Sequence, residues 1–531
     1  MARWNNNDIL IKNRKDMKKY ITYFTVALLT LFFTSCEDFL DLQPLDQEVS
    51  SNFYQDQEDA MQALVAIYDV LTYQSTPGVS WAPFLTVSDM LSDDAYAGGS
   101  DANDGMDENE LNTFNIPVTN LLVHATWIKN YLGIYRANLY LEKIEGIEAT
   151  DDFKQRTIAE AKFLRAYFYF EQVRFFENIP LLTSTIKGPS EYQQEQNNPA
   201  EVYDQIALDL VDAVKVLPEM IPAAEAGRIS KWAAQALLAR VYLFYNGVYG
   251  VELNAGETTV DQDFVLNYLE DLITNSGHGL FANYEDNFRL AGEFGEESVF
   301  EISHGDTPPW WDWNYVRGGA GNLAAQMQGP RVTGSENWDR GWSFAPVSQK
   351  LVDDLTGDPR FEHTIVSEED LDGTLTIGYQ HTGYFSNKYT SDAEHWGADG
   401  QFELNRTCNY RVIRFSDVLL MAAELGSPNA QQYLDDVRDR VGLPSVPATE
   451  ENILRERRLE LSLEGLRYFD LLRQGISYAE QELTNSVRGS SYVGDQEIFD
   501  VTFDPSTKGY LPIPQTEIDL SEGTLVQNEG Y

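Results

Sequence analysis

NPAEVYDQIALDLVDAVKVLP (198–218), followed closely by SKWAAQALLARVYLFYNG (230–247), decides the fold of this chain. In the first stretch Pro199 stands at the first helical position behind Asn198, whose side chain is suited to accept from the exposed N–H groups of a helix start. Val202, Ile206, Leu210, Val214 and Leu217 then recur at helical spacing, and Pro218 stops the run. In the second stretch Ser230 is the cap, Ala233, Ala234, Ala236 and Ala239 let neighbouring backbones approach closely, and Gly247 is expected to end the helix. Two such helices in succession predict stacked hairpins of tetratricopeptide type, although the strict period of a regular array is absent.

Outward from this pair the same pattern repeats. Phe53, Ala60, Leu64, Ile67, Val70 and Leu71 give one apolar stripe over 52–71. Helices are predicted over 121–144 and 152–176. In the second, Ile158, Ala161, Leu164 and Phe168 mark one face while Ala159, Phe163, Ala166 and Phe170 mark another, as in a helix packed on both sides. Further helices are predicted over 263–273, 414–424, 430–441 and 450–474. Between 275 and 409 the character changes to Gly, Pro, Asn, Asp and Trp, with helical periodicity only near 347–355. A stretch that long without regular periodicity predicts short strands, turns and a binding surface. The fold class is therefore mainly α, a scaffold of helical hairpins with a long loop-rich insertion that carries short strands.

The N-terminus reads as an address. Lys18 and Lys19 precede the apolar run 21–33, and Phe33-Thr34-Ser35 leads into Cys36. A basic flank, an apolar run too short for an ordinary membrane span and small residues before a cysteine describe a lipoprotein signal peptide. Met17 is the expected start, so 1–16 is an upstream extension, 17–35 the signal peptide and 36–50 a tether. Residues 51–531 form one domain, with scaffold at 51–274 and 410–475, the insertion at 275–409 and a C-terminal segment at 476–531. Cys36 is the expected lipidation site, and the acidic Glu37 and Asp38 behind it fit delivery to an outer membrane.

Composition narrows the function further. A formal charge of -46 over 531 residues repels nucleic acid and anionic lipid head groups, so no nucleic-acid partner is expected. With two cysteines, one of them assigned to lipid, no disulfide framework is implied, and Cys408 is expected to be a small buried hydrophobe. The six histidines show no pair at zinc-helix spacing, and neither Gly-x-Ser-x-Gly nor a phosphate loop occurs. Asp101, Asn103, Asp104, Asp107 and Glu110 hint at calcium, but Gly105 falls at the fifth rather than the sixth position of an EF-hand loop. No cofactor, metal or catalytic residue is assigned, and no enzyme is predicted.

Near the C-terminus stand Arg455-Glu456-Arg457-Arg458-Leu459-Glu460-Leu461 and Glu464-Gly465-Leu466-Arg467-Tyr468-Phe469-Asp470-Leu471-Leu472-Arg473. Their charges fall three or four residues apart and are expected to pair along one helix while Leu459, Leu461, Leu463 and Leu466 pack inward, a scaffold rather than a site. Together with the stretches 414–424 and 159–168, Tyr510-Leu511-Pro512-Ile513-Pro514 and Cys36-Glu37-Asp38-Phe39-Leu40-Asp41, these motifs resemble the SusD/RagB family over most of the mature chain. The resemblance implies a surface-exposed lipoprotein, anchored in the outer membrane, that binds oligosaccharide and works as a hinged lid on a SusC-like TonB-dependent transporter. Some members of that family take peptides instead, so a RagB-like peptide binder is the alternative, followed by a scaffold without a small ligand and, last, a hydrolase.

The strongest candidate site is aromatic. Trp310, Trp311, Trp313, Trp338 and Trp342 crowd the insertion, with Asn314 and Tyr315 beside them. Indole faces stack on the apolar faces of sugar rings while nearby amides and carboxylates take the hydroxyls. Trp342, which leads into the 347–355 helix, is the member expected to be structural, and Trp127 and Trp232 lie on helices. The connection 81–107 is implied by the resemblance to border the same ligand site, which adds Trp81, Asp94 and Tyr96 as candidates.

Overall fold

The computed structural model describes residues 54–73, 83–307, 320–397, 402–484 and 501–531. Cys36 and its flanks lie outside the described residues, as do Trp81, Trp310, Trp311, Trp313, Asn314 and Tyr315.

The scaffold opens with helices α1 (Gln57–Thr72), α2 (Phe84–Leu91), α3 (Met106–Asn112), α4 (Leu121–Lys143), α5 (Asp151–Phe176), α6 (Pro199–Val214), α7 (Lys231–Tyr249) and α8 (Gln262–Asn275). α1 packs on α4, and from α4 to α8 each helix packs on the next. The caps are those expected: Asn198 accepts from Ala200 N–H and Ser230 from Ala233 N–H. α5 is buried on both sides, and Arg165 ties three layers together by donating to Asn138 of α4 and to both oxygens of Asp209 of α6, each at 2.8 Å. Gly133 sets the closeness of α4 and α5, since a Cβ there would lie 2.4 Å from the Phe168 ring.

α7 runs on past Gly247 to Tyr249, where Gly250 closes it in the left-handed conformation. Gly247 has a packing role instead, because a Cβ there would sit 2.7 Å from the Arg473 carbonyl oxygen.

The insertion is pinched at its base. Strand Ser298–Ile302 pairs antiparallel with Tyr410–Arg414, matching Ser298 with Arg414 and Ile302 with Tyr410. Between these strands lie short helices, α9 (Leu323–Gln328) and α10 (Gln349–Leu355), and the small antiparallel pairs Val332–Thr333 with Thr374–Leu375 and Ile365–Ser367 with Tyr384–Ser386. Trp342 packs against a core cluster of Met90, Leu323, Met327 and Phe344, as expected of a structural member. Cys408 is buried, and burial pushes its thiol well above the ordinary range.

After the insertion come α11 (Phe415–Glu424), α12 (Ala430–Arg440), α13 (Glu450–Glu460) and α14 (Arg467–Arg473). The continuous helix predicted over 450–474 is thus two, for Leu463 and Gly465 adopt φ of 58° and 74° between them. The bend turns Glu460 and Glu464 away from a surface ladder and into the interior. Their partners are long-range: Arg414 reaches Glu297 at 2.7 Å and Glu460 and Glu464 at 2.8 Å, Arg360 reaches Glu456 at 2.7 Å, and Lys388 reaches Glu464 at 2.7 Å. The expected ladder along one helix is corrected to a buried network joining α13 and α14 to the insertion and to α12. Burial alone would raise the Glu460 carboxyl, but Arg440, Arg414 and Arg360 outweigh it and hold it far below the usual carboxylate range. The four leucines do pack inward, all of them buried. The closing segment docks on α5, where Leu511 N–H donates to the Phe175 carbonyl at 2.7 Å.

Candidate functional site

The Ser335–Trp338 turn is built from its own hydroxyl. Ser335 Oγ accepts from the N–H groups of Asn337 and Trp338 at 3.0 and 2.7 Å, a local bond that offers the backbone an alternative to helix or strand. Asp372 steadies the turn by accepting from Ser335 Oγ and from Glu336 N–H. The turn presents Trp338, half-buried, whose backbone bridges to Asp392. Its neighbour Asp339 takes the Arg406 guanidinium at 3.0 Å, and Arg406 is held from its other side by Gln326 Oε1.

Arg406 links two further features. Its backbone bridges to Trp396, which is 52% exposed, and its carbonyl accepts from Asn322 N–H at 2.7 Å. Asn322 stands two residues beyond Ala320, on the C-terminal side of the tryptophan-rich stretch 308–319. Gly305 N–H donates to the Ala320 carbonyl at 2.8 Å, which brings these two residues together. Trp338, Trp396 and the Gly305–Ala320 contact therefore lie along one hydrogen-bonded frame. Sequence reasoning missed Trp396. The available signal was an indole between His395 and Gly397 inside the same insertion.

Two candidates are corrected. Asp94 is 0% exposed and forms an ion pair with Arg458, while its backbone carbonyl accepts from Ser348 N–H. Tyr96 is 1% exposed, its N–H bound to the Pro346 carbonyl at 3.0 Å. The part of the connection that carries them, 93–99, is buried against 343–348, so both side chains lie in the interior and not on the expected surface. Gly98 makes the close crossing possible, since a Cβ on it would lie 2.3 Å from the Ser343 oxygen.

Among the described residues Asp392, Glu394 and His395 approach metal-ligand spacing. Asp392 Oδ2 already accepts from Arg289 Nη1 at 2.8 Å, and His395 Nε2 lies 3.1 Å from the Phe288 carbonyl. A guanidinium on the carboxylate is the wrong environment for a second cation. Burial also lowers the pKa of His395, which disfavours the charged ring.

A solved structure of a laminarin-binding SusD-like protein is 34% identical to this chain, covering 90% of it and 100% of the relative, with a TM-score of 0.79. The chain belongs to the SusD family. Family models match this SusD-family chain in two parts, one described as the SusD family over 372–531 and one as starch-binding, associating with the outer membrane, over 38–243. Surface glycan-binding protein A from Bacteroides thetaiotaomicron, solved with laminarihexaose, is 28% identical over 89% of this chain and 100% of its own, with a TM-score of 0.79. SusD-like protein P25 of Formosa agariphila is 27% identical over 94% of this chain and 97% of that protein. These two solved relatives are named for binding glycans, and the fold of this SusD-family chain is theirs.

Proposed function

We propose that the mature chain captures neutral oligosaccharide at the cell surface and passes it to a SusC-like TonB-dependent transporter, with no chemistry of its own. Lipidated Cys36 holds it to the outer membrane, residues 36–50 are the tether, and 51–531 act as the binding domain. One observation carries the reading: exposed Trp396 and half-buried Trp338 are fixed on the same frame as Gly305 and Ala320, which flank the 308–319 stretch in the sequence. That stretch adds Trp310, Trp311, Trp313, Asn314 and Tyr315 as candidate ligand residues, and Trp81 as a further one. Two relatives named for laminarin and laminarihexaose make a β-glucan the first substrate class to try.

The same frame explains why a sugar suits it. Indoles supply apolar platforms, and Glu336 and Asn337, exposed on the same turn, supply polar groups for ring hydroxyls. Calorimetric titration of the purified chain against neutral glycans, with a peptide panel in parallel, tests the reading. Saturable heat from a glycan supports it. A blank glycan panel beside a binding peptide transfers the protein to peptide capture, and release of reducing ends from polysaccharide overturns the non-enzymatic assignment.

A further inference from the structure

Away from the insertion, α4 lines a groove of about 590 Å³ together with residues of 180–194 and of the C-terminal stretch 517–525. Trp127, Tyr131 and Tyr135 follow one another every fourth residue along the helix, so their rings climb its axis in steps of roughly 6 Å. The first two rings lie 5.0 Å apart, tilted at 48°. Trp127 is buried at the inner end of this series, while Tyr135 is 49% exposed. A further ring comes from Tyr192, 60% exposed, on the 180–194 connection.

A helical aromatic stripe is ordinarily core, and Trp127 fits that description. Tyr135 and Tyr192 do not, because their rings stand open to water within a concave site of the size usual for small-molecule pockets. The polar side chains of the lining, besides the tyrosine hydroxyls, are Asn138, Ser184, Thr185, Gln194, Glu517 and Ser521. Among the described residues Glu517 is the one acidic or basic side chain lining the groove, and it is occupied by His124 Nε2 at 2.9 Å. A charged ligand would lose water against these rings without gaining a counter-ion, and an anionic one would also meet a chain of formal charge -46. A pyranose chain presents what the groove lacks and needs, flat C–H faces of about one ring per aromatic step and neutral hydroxyls for the rim.

We propose that this groove is a second oligosaccharide site, for a neutral glycan, built on α4 and separate from the Trp338–Trp396 frame. The inference rests on the reading of the chain as a glycan binder and adds a second place of capture to it. Two sites on one chain would hold separate points of a polysaccharide, so that a weak grip at each gives a stronger grip together.

Titration calorimetry of the full chain with a panel of neutral hexasaccharides, laminarihexaose included, tests the proposal with two variants. Trp338→Ala with Trp396→Ala is expected to leave one class of binding behind. Tyr135→Ala with Tyr192→Ala, both at exposed positions and so expected to fold, is expected to weaken that residual class at least roughly tenfold. An isotherm of the tyrosine variant that superimposes on that of the native chain overturns the groove and leaves the glycan-binding reading intact. No heat from the native chain with any glycan overturns both.

Discussion

Arg414 donates to the Glu460 carboxylate at 2.8 Å from 46 residues away, with both side chains sealed from water. The arginine ends the strand that closes the insertion, and the glutamate ends α13, so one ion pair locks the loop-rich half to the helical half. Removing one partner strands the other charge in a low-dielectric interior. Arg414→Met is therefore expected to lower stability by about 3–5 kcal/mol, the usual cost of breaking a buried pair. Urea unfolding measures it, and an unchanged midpoint would remove the network from any account of stability.

The bend between α13 and α14 depends on Gly465, whose φ of 74° favours glycine and whose missing Cβ would lie 3.0 Å from the Phe84 ring. Gly465→Ala is expected to cost about 1–2 kcal/mol from backbone strain, with crowding added. Thermal melts of the two proteins at matched concentration decide the point. Equal melting temperatures would show that the bend tolerates a side chain.

Trp396 stands at the edge of the candidate surface with little packing to lose. Trp396→Ala is expected to weaken glycan binding by roughly 5- to 100-fold, the loss of one aromatic stack, while the melting temperature stays within about a degree. Affinity equal to that of the native chain would remove this indole from the site.

Asp89 predicts a pH dependence. Burial raises its carboxyl to about 8 even though Gly465 N–H donates to Oδ1 at 3.0 Å, and Oδ2 has no partner among the described residues. The folded chain keeps a proton that the unfolded chain releases near about pH 4. Stability from this group is full below that pH and lost as the pH rises toward 8. Asp417 acts in the opposite sense: burial would raise it, but Arg457 and Arg240 hold it at about 2, so its contribution is present above the ordinary carboxylate range and lost as the pH falls through it. Asp89→Asn is expected to stabilise the chain by on the order of 1–3 kcal/mol at alkaline pH, with the gain shrinking in mild acid. Denaturation midpoints across that range check it, and a gain that does not change with pH contradicts the assignment.

The helical scaffold was legible in the sequence because its signals are local. Caps at Asn198 and Ser230, the Pro199 start and apolar spacing act within one or two turns, and a chain obeys them before it meets a distant partner. Where distant groups compete, the local pattern misled. The charges of 456–467 sit three or four apart, yet they pair with Arg414, Arg360 and Lys388, because the left-handed residues Leu463 and Gly465 turn them inward. The insertion was recognisable as irregular, but which of its rings meet water is a property of packing. Periodicity has no hold on a loop, so Tyr96 went to the interior and Trp396 to the surface only once the chain had closed on itself. The sequence by itself determined the helices and the family of this protein. Tertiary structure alone decided the buried ionic lock and the face that remains open, since both depend on residues far apart in the sequence that only folding brings together.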